Sequence, residues 1–218
     1  MAGFFLTFEG SEGCGKSTQI GRLVDACEKM GVSPLVTREP GGTAVGEEIR
    51  HLLQHSRAGD AMVPESELLL FSASRAQLVR EVIAPALAQE RLVICDRFFD
   101  STTVYQGVAR QLAPADVAAM NRFAVGVCVP DLTIVLDMDA QVALARARTG
   151  RGVTVRDRME EQEIEFYEAV RAGYLALVEA EPERVRVVDS SGTPDETFAA
   201  IREILTRSGH GIFEGISV

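Results

Sequence analysis

The chain has 218 residues, of which 46% are hydrophobic and 25% are charged, a size and composition typical of one α/β domain with a sizeable core. Its formal net charge of −10 argues against a face that binds duplex nucleic acid and favours a small-molecule partner. The cysteines and histidines lack the spacing of a zinc site or a disulfide framework, and the apolar N-terminal stretch is too short to span a membrane, so we expect a cytoplasmic protein without a membrane partner.

The first predicted element is a buried strand, Phe4–Phe8, which is followed by a glycine-rich loop and a helix. Gly10, Gly15, Lys16 and Ser17 fit the phosphate-loop pattern G-x-x-x-x-G-K-[ST]. Free N–H groups and the positive end of a helix dipole favour phosphate oxygens at such a junction. We expect Lys16 to reach the β- and γ-phosphates and Ser17 to bind Mg²⁺. The alternative is an ordinary glycine-rich turn.

Strand-length apolar runs and helical patterns alternate along the rest of the chain. Further strands are predicted at Pro34–Thr37, Leu92–Cys95, Leu132–Asp137 and Val185–Val188. Helices are predicted in "TAVGEEIRHLLQH", from "ESELLLF" up to Pro85, and at Pro114–Val125, Ala140–Arg148, Glu160–Glu179 and Asp195–Arg207. This alternation predicts a parallel sheet that helices cover on both faces. Thr149–Arg158 is rich in glycine and arginine, which indicates a mobile loop.

Charged residues follow two of the predicted strands. Asp96 and Arg97 come directly after the third strand, where ligands bind in parallel sheets. Asp96 can hold magnesium through water, and Arg97 can clamp a phosphate with two hydrogen bonds. The alternative is a salt bridge at the strand end. Arg38 follows the second strand, and taken alone it indicates a solvated arginine before a Pro-Gly turn.

Phe71 and Arg75 are four residues apart in a predicted helix, so they project from the same face. Phe71 is a candidate core residue, but Arg75 on that face would then be buried without a partner, which is costly. An aromatic ring beside an arginine suits a nucleobase, which stacks on the ring and accepts from the guanidinium. Ser101 and Tyr105 repeat the four-residue spacing and are expected to face the same cleft.

Taken together, these segments resemble the thymidylate kinase family. The matching segments are "FEGSEGCGKSTQ", "TREPGGT", "LLLFSASRAQ", "DRFFDSTTVYQG" and "RDRMEEQEIEFYEAVRAGYLAL". The resemblance implies a three-layer P-loop NTPase fold with a parallel five-stranded sheet, formed by one domain over 1–218 with a mobile lid at about 147–158. It also implies a homodimer that uses ATP and Mg²⁺ to convert dTMP to dTDP for dTTP synthesis.

The resemblance assigns roles to individual residues. The implied dTMP site comprises Glu12, Arg38, Phe71, Arg75, Arg97, Ser101, Thr102, Tyr105 and Gln106. Phe71 would stack on thymine, Arg75 would bond a base carbonyl, and Tyr105 would leave little space for a 2′-hydroxyl. Glu12 would meet the 3′-hydroxyl, and Arg38 and Arg97 would hold the phosphate.

The implied ATP site comprises Gly10, Ser11, Glu12, Gly13, Cys14, Gly15, Lys16, Ser17 and Thr18, with Arg146 packed on the adenine. Ser17 and Asp96 are the implied magnesium ligands. The implied catalytic residues are Lys16, Asp96, Arg97 and a lid arginine. The phosphate loop itself has no arginine, so Arg148, Arg151 and Arg156 are candidates, with Arg151 favoured by its place in "GRG".

Two alternatives stay open. The chain could be a nucleoside monophosphate kinase of another base specificity, which an assay across monophosphates would reveal. It could also be a non-catalytic nucleotide-binding switch. A switch has no use for a second nucleotide pocket, and an inactive relative should lack Lys16, Asp96 or Arg97, all of which are present.

Overall fold

The computed structural model describes residues 3–56, 59, 61–150 and 162–216. In this part of the chain, five strands form one parallel sheet in the order β2-β3-β1-β4-β5. The strands are β1 Phe4–Glu9, β2 Leu35–Arg38, β3 Leu92–Asp96, β4 Leu132–Asp137 and β5 Val185–Asp189. The predicted strands and the α/β fold class are confirmed. Four strands extend one residue past the prediction, and each of these additional residues is charged.

Helices connect the strands and lie on both faces of the sheet. They are α1 Lys16–Lys29, α2 Ala44–Gln54, α3 Pro64–Leu78, α4 Ala84–Ala88, α5 Phe99–Thr102, α6 Pro114–Val125, α7 Ala140–Gly150, α8 Ile164–Ala180 and α9 Pro194–Arg207. Two π-helical segments, Val79–Ile83 and Thr103–Ala109, and a 3₁₀ turn, Gly211–Phe213, complete the described elements. Within the described ranges, no helix combines the length and the apolar character needed to cross a bilayer.

Alternate residues of the central strand β1 supply two separate cores. Leu6 is fully buried on one face, where it belongs to a cluster with Leu23 of α1 and Ile201 of α9. Phe5 is fully buried on the opposite face, in a cluster with Ile83 that also includes residues of β3. Successive side chains of a strand point to opposite faces, so a continuous apolar run is what a sheet covered on both sides requires.

The helix that was expected to reach Pro85 continues past it. The chain passes from α3 through the π-helical segment Val79–Ile83 into α4, and it ends at Ala88. Pro85 lies in the first turn of α4. Proline has no N–H to donate, and it is accommodated where the backbone hydrogen-bond pattern changes from the π-helical segment to α4.

A buried ion pair joins α5 to the strands on the far side of the sheet. Asp100 is fully buried, and the Arg184 guanidinium donates to both of its carboxylate oxygens at 2.7 and 2.8 Å. Thr133 of β4 donates to the same carboxylate at 3.0 Å. The pair therefore holds α5, which begins just after Arg97, against the loop that precedes β5.

We expect Arg184→Ala to lower the free energy of unfolding by about 3–5 kcal/mol, because it leaves the buried Asp100 carboxylate without its counter-charge. Urea denaturation monitored by circular dichroism measures the change. The matched control is Arg186→Ala, whose partner Glu183 is almost fully exposed, and it should cost no more than about 1 kcal/mol. Similar decreases in the free energy of unfolding for the two variants would contradict the prediction that the buried pair stabilises the fold more than the exposed one.

Candidate active site

A cleft opens at the carboxyl ends of the strands, beside β1 and β3. Its cavity volume of about 440 Å³ lies in the range of small-molecule sites. Of the predicted site residues, it is lined by Glu12, Gly13, Gly15, Lys16, Ser17, Thr18, Arg38, Phe71, Asp96, Arg97, Ser101, Thr102, Tyr105, Gln106 and Arg146. Gly10, Ser11, Cys14 and Arg75 are not among the lining residues. Arg151 lies outside the described residues.

The phosphate loop connects β1 to α1 through backbone conformations that favour glycine. Gly10, Gly13 and Gly15 have φ angles of 128°, 77° and 99°. A Cβ at Gly13 would come within 2.0 Å of the Ala143 carbonyl oxygen on α7, so the loop and α7 are in close contact. The Lys16 ammonium donates to the Gly10 and Ser11 carbonyls at 3.1 and 2.9 Å, which places its charge inside the loop.

The two predicted magnesium ligands lie side by side. The Ser17 hydroxyl donates to Asp96 Oδ2 at 3.5 Å, although the two residues belong to different elements. Within the described residues, no cluster of three or more His, Cys, Asp and Glu side chains is arranged to hold a metal ion. One hydroxyl and one carboxylate nevertheless suit Mg²⁺, which takes most of its ligands from nucleotide phosphates and water.

Arg97 occupies the centre of the cleft and is held from several sides. Its Nη2 donates to Glu12 at 2.5 Å, and its Nη1 donates to the Ser101 and Tyr174 hydroxyls at 3.3 and 3.4 Å. The guanidinium also lies 5.2 Å from the centre of the Tyr105 ring. Its φ of 68° is uncommon for a residue other than glycine, and such conformations cluster at functional sites.

Glu9, which was not predicted as a site residue, lies directly behind Arg97. It is fully buried and accepts from the Phe98 N–H at 2.8 Å and the Tyr174 hydroxyl at 2.7 Å. It also accepts from the N–H and hydroxyl of Ser101 at 3.2 and 2.6 Å. Burial raises the pKa of Glu9 to about 7, with a smaller contribution from the negative charge of Asp100.

The inner end of the cleft is lined by aromatic and polar side chains. Phe71 is partly buried and faces the cleft, so it is not simply a core residue. The Tyr105 hydroxyl is buried, and it has no hydrogen-bond partner in the described part of the chain. Burial raises the pKa of this hydroxyl, so it is neutral near neutral pH. An unpaired polar group in a pocket favours a ligand that completes its hydrogen bond.

Arg75 lies behind this wall rather than on its surface. Its side chain is fully buried and forms an ion pair with Glu39, which follows β2. It also donates to Asn121 at 2.6 Å and to the Thr102 hydroxyl. The expectation that a buried Arg75 would lack a partner is therefore wrong. Its partners come from segments that are distant in sequence, which helical spacing alone does not reveal.

Arg38 and Arg146 lie at the outer parts of the cleft. Arg38 forms an ion pair with Glu47 of α2, donating to both carboxylate oxygens at 3.0 Å. Arg146 donates to the backbone carbonyls of Ser190 and Ser191 at 3.4 and 3.3 Å, after the end of β5. Arg148 is exposed in the last turn of α7. The candidate Arg156, like Arg151, lies outside the described residues.

Several cleft residues escaped the sequence analysis. The lining also includes Glu39, Pro40, Arg50, Gln54 and Ala147. Glu39 and Pro40 belong to the quoted segment "TREPGGT", but only its arginine was assigned. Glu9 had a detectable signal, because it is a carboxylate that directly ends an otherwise apolar strand.

We expect the buried Glu9 carboxyl to make stability pH-dependent. In the unfolded chain it loses its proton near 4.5, whereas in the folded chain it does so near 7. Between these values the folded state binds more protons, so the contribution of Glu9 to stability falls as the pH rises. The total change is about 3 kcal/mol.

Urea unfolding at pH 5 and pH 8 tests this for the wild type and Glu9→Gln. The free energy of unfolding of the wild type, minus that of the variant, should be smaller at pH 8 than at pH 5. The control variant Glu48→Gln, at an exposed position, should have the same free energy of unfolding as the wild type at both pH values. A pH-independent difference between the wild type and Glu9→Gln would contradict the shifted pKa.

Comparisons with known proteins agree with this geometry. The family model "Thymidylate kinase" matches residues 8–201. A thymidylate kinase from Geobacter sulfurreducens is 46% identical over 206 residues, covering 93% of this chain and 96% of that protein. A thymidylate kinase from Synechococcus sp. (strain JA-3-3Ab) is 45% identical over 201 residues, covering 92% of this chain and 94% of that protein.

A solved structure is also similar to this chain. The crystal structure of thymidylate kinase from Ehrlichia chaffeensis has a TM-score of 0.77 at 29% sequence identity. The match covers 94% of this chain and all of that one. The resemblance in the sequence motifs is confirmed, and the chain belongs to the thymidylate kinase family.

Proposed function

We propose that the chain transfers the γ-phosphoryl group of ATP to dTMP, giving ADP and dTDP for the synthesis of dTTP. One observation carries this proposal: the phosphate loop and the aromatic wall that contains Phe71 and Tyr105 line the same cleft, with Arg97 between them. Such a cleft suits two nucleotides whose phosphates meet at Arg97. Family membership supports the same reaction.

The chemistry needs charge and positioning more than proton transfer. A phosphate monoester is already ionised near neutral pH, so the acceptor requires no strong base. Lys16 would neutralise the β- and γ-phosphates of ATP, and Arg97 would hold the acceptor phosphate. Magnesium would be held by Ser17 and, through water, by Asp96, and it would supply positive charge to the transferring phosphates. Excluding water from the cleft strengthens each of these interactions.

The other residues of the cleft would bind the sugar and the adenine. Glu12 would reach the 3′-hydroxyl of dTMP, and the Tyr105 hydroxyl would lie beneath the sugar. Arg146 would pack on the adenine at the other end of the cleft. One domain over 1–218 would carry a lid at about 147–158, which closes over both substrates, and Arg151 would supply the positive charge that the phosphate loop lacks.

We also propose a homodimer that forms through α3 and α6, which pack against each other. Leu69 of α3 and Phe123 of α6 are 56% and 75% exposed, and Val127, just after α6, is 97% exposed. Large apolar side chains on neighbouring helices favour a protein partner over water. A second copy of the chain would cover these apolar side chains with the same surface, which gives a symmetric interface.

We expect the purified protein to form dTDP from dTMP, ATP and Mg²⁺, and Lys16→Ala to lower kcat by about 100-fold or more. Affinity for dTMP should change little, because Lys16 contacts the donor phosphates. A coupled assay of ADP release and calorimetry with dTMP measure the two quantities. Lys29→Ala removes an exposed lysine from the same helix and should leave both unchanged. Wild-type protein that binds ATP but forms no dTDP would rule out the proposed reaction.

We expect light scattering to give twice the chain mass for the wild type and a lower average mass for Phe123→Glu, because the new carboxylate would lie in the apolar interface. Val142→Glu, at a half-exposed valine of α7 away from this surface, should stay dimeric. A monomeric wild type at micromolar concentration, or an unchanged mass for Phe123→Glu, would contradict the proposed interface.

A further inference from the structure

Tyr174 is a buried residue of α8 to which the proposed reaction assigns no role, although its hydroxyl lies directly behind the cleft. Its side chain is 2% exposed, and it packs in an apolar cluster with Val170 of the same helix and Val185 of β5. Its hydroxyl donates to Glu9 at 2.7 Å and accepts from Arg97 Nη1 at 3.4 Å. One hydroxyl therefore joins the end of the central strand to the arginine at the centre of the cleft.

The direction of both hydrogen bonds follows from the chemistry of the partners. A guanidinium donates hydrogen bonds and accepts none, so Arg97 can meet only the oxygen of the Tyr174 hydroxyl. The hydroxyl hydrogen is then left for the Glu9 carboxylate. Burial raises the pKa of the Tyr174 hydroxyl well above its usual value, so the group keeps the hydrogen that this bond requires. Tyr174 therefore holds the Nη1 end of Arg97 at the back of the cleft.

This contact limits which N–H groups of Arg97 remain for a ligand. Nη1 is directed to the hydroxyls of Ser101 and Tyr174, and Nη2 donates to Glu12. The guanidinium also carries an N–H on Nε and a second N–H on Nη2, and neither has another partner within the described residues. A phosphate at Arg97 would be held by these groups, and their direction depends on how Nη1 is anchored.

Tyr174 differs from the other partners of Arg97 because it does not line the cleft. Glu12, Ser101 and Tyr105 are lining residues, and all three belong to the proposed dTMP site. A bound nucleotide would compete for their contacts with Arg97. The Tyr174 hydroxyl is instead covered by protein, so its contact with Arg97 can persist when the substrate binds.

We infer that Tyr174 is a positioning residue for the acceptor phosphate, which it orients through Arg97 without touching the substrate. This inference rests on the proposed function, because it requires the phosphate of dTMP to bind at Arg97. Loss of the Tyr174 hydroxyl would leave the contacts to the base and the sugar in place and weaken the hold on the phosphate alone.

The test separates binding of the phosphate from binding of the rest of the nucleotide. Calorimetry gives the dissociation constants of dTMP and of thymidine, which differs from dTMP only in lacking the phosphate. The ratio of the thymidine constant to the dTMP constant measures what the phosphate contributes. For the wild type we expect a ratio of about ten or more, because hydrogen bonds between arginine and phosphate are charge-assisted.

Tyr174→Phe removes the hydroxyl and keeps the ring in its cluster. We expect it to lower the ratio by about fivefold or more and to leave the affinity for thymidine unchanged. In coupled assays, kcat should fall and the KM for dTMP should rise, because the acceptor phosphate is misplaced, whereas the KM for ATP should change little. Val170→Ala is the matched control, since it removes buried volume from the same helix and cluster. It should lower stability and leave the ratio unchanged.

Glu9→Gln provides a second, independent measurement, including in the case where Tyr174→Phe fails to fold. The N–H groups of Phe98 and Ser101 both point at Glu9 Oε1, so they would keep the amide oxygen of the glutamine at that place. The NH₂ group would then face the Tyr174 hydroxyl, whose hydrogen would lose its acceptor and turn toward Arg97. We expect the ratio to fall by about fivefold or more in this variant too.

A double-mutant cycle shows whether Tyr174 acts through Arg97. In the Arg97→Ala background, adding Tyr174→Phe should not lower the ratio further, because no guanidinium is left to position. Equal losses of affinity for dTMP and thymidine, an unchanged ratio in the folded variants, or a further loss in the Arg97→Ala background would overturn the inference. A ratio that falls as expected, in a protein that forms no dTDP, would instead refute the proposed reaction and leave the positioning role of Tyr174 intact.

Discussion

The carboxylate of Glu9 connects the sheet to the chemistry of the cleft. It ends the central strand in a fully buried position, and its four hydrogen bonds go to the first turn after β3 and to Tyr174 of α8. Ser101 and Tyr174 in turn contact the guanidinium of Arg97. A buried carboxylate is costly unless its hydrogen bonds are satisfied, so these groups have little freedom to rearrange independently. The position of Arg97 is therefore set by Glu9 at the end of β1, through Ser101 and Tyr174.

The sequence predicted those parts of the fold whose signals are local. Apolar runs mark each strand, and the spacing around Lys16 identifies the phosphate loop. The strand ends were underestimated because Glu9, Asp96 and Asp189 are charged, and charge normally indicates the end of a buried element. At the carboxyl edge of this sheet, the charged residue continues the strand, and two such residues, Arg38 and Asp96, line the cleft.

The polar contacts behind the cleft could not be predicted from local sequence patterns. Arg75 meets Glu39 from the loop after β2, and Glu67 meets Gln106 from the segment after α5. These partners are 36 and 39 residues apart in sequence, and no helical or strand periodicity connects them. The π-helical geometry of Thr103–Ala109 is also invisible to a search for regular periods, although it determines where Gln106 points. Identifying such pairs requires the packing itself.

The close contact between Gly13 and Ala143 has a mechanical consequence. There is no space for even a methyl group between them, so any side chain at position 13 would push the phosphate loop and α7 apart. Arg146 and Ala147, on the same helix, line the cleft. A substitution at Gly13 would therefore disturb the phosphate loop and the α7 side of the cleft together.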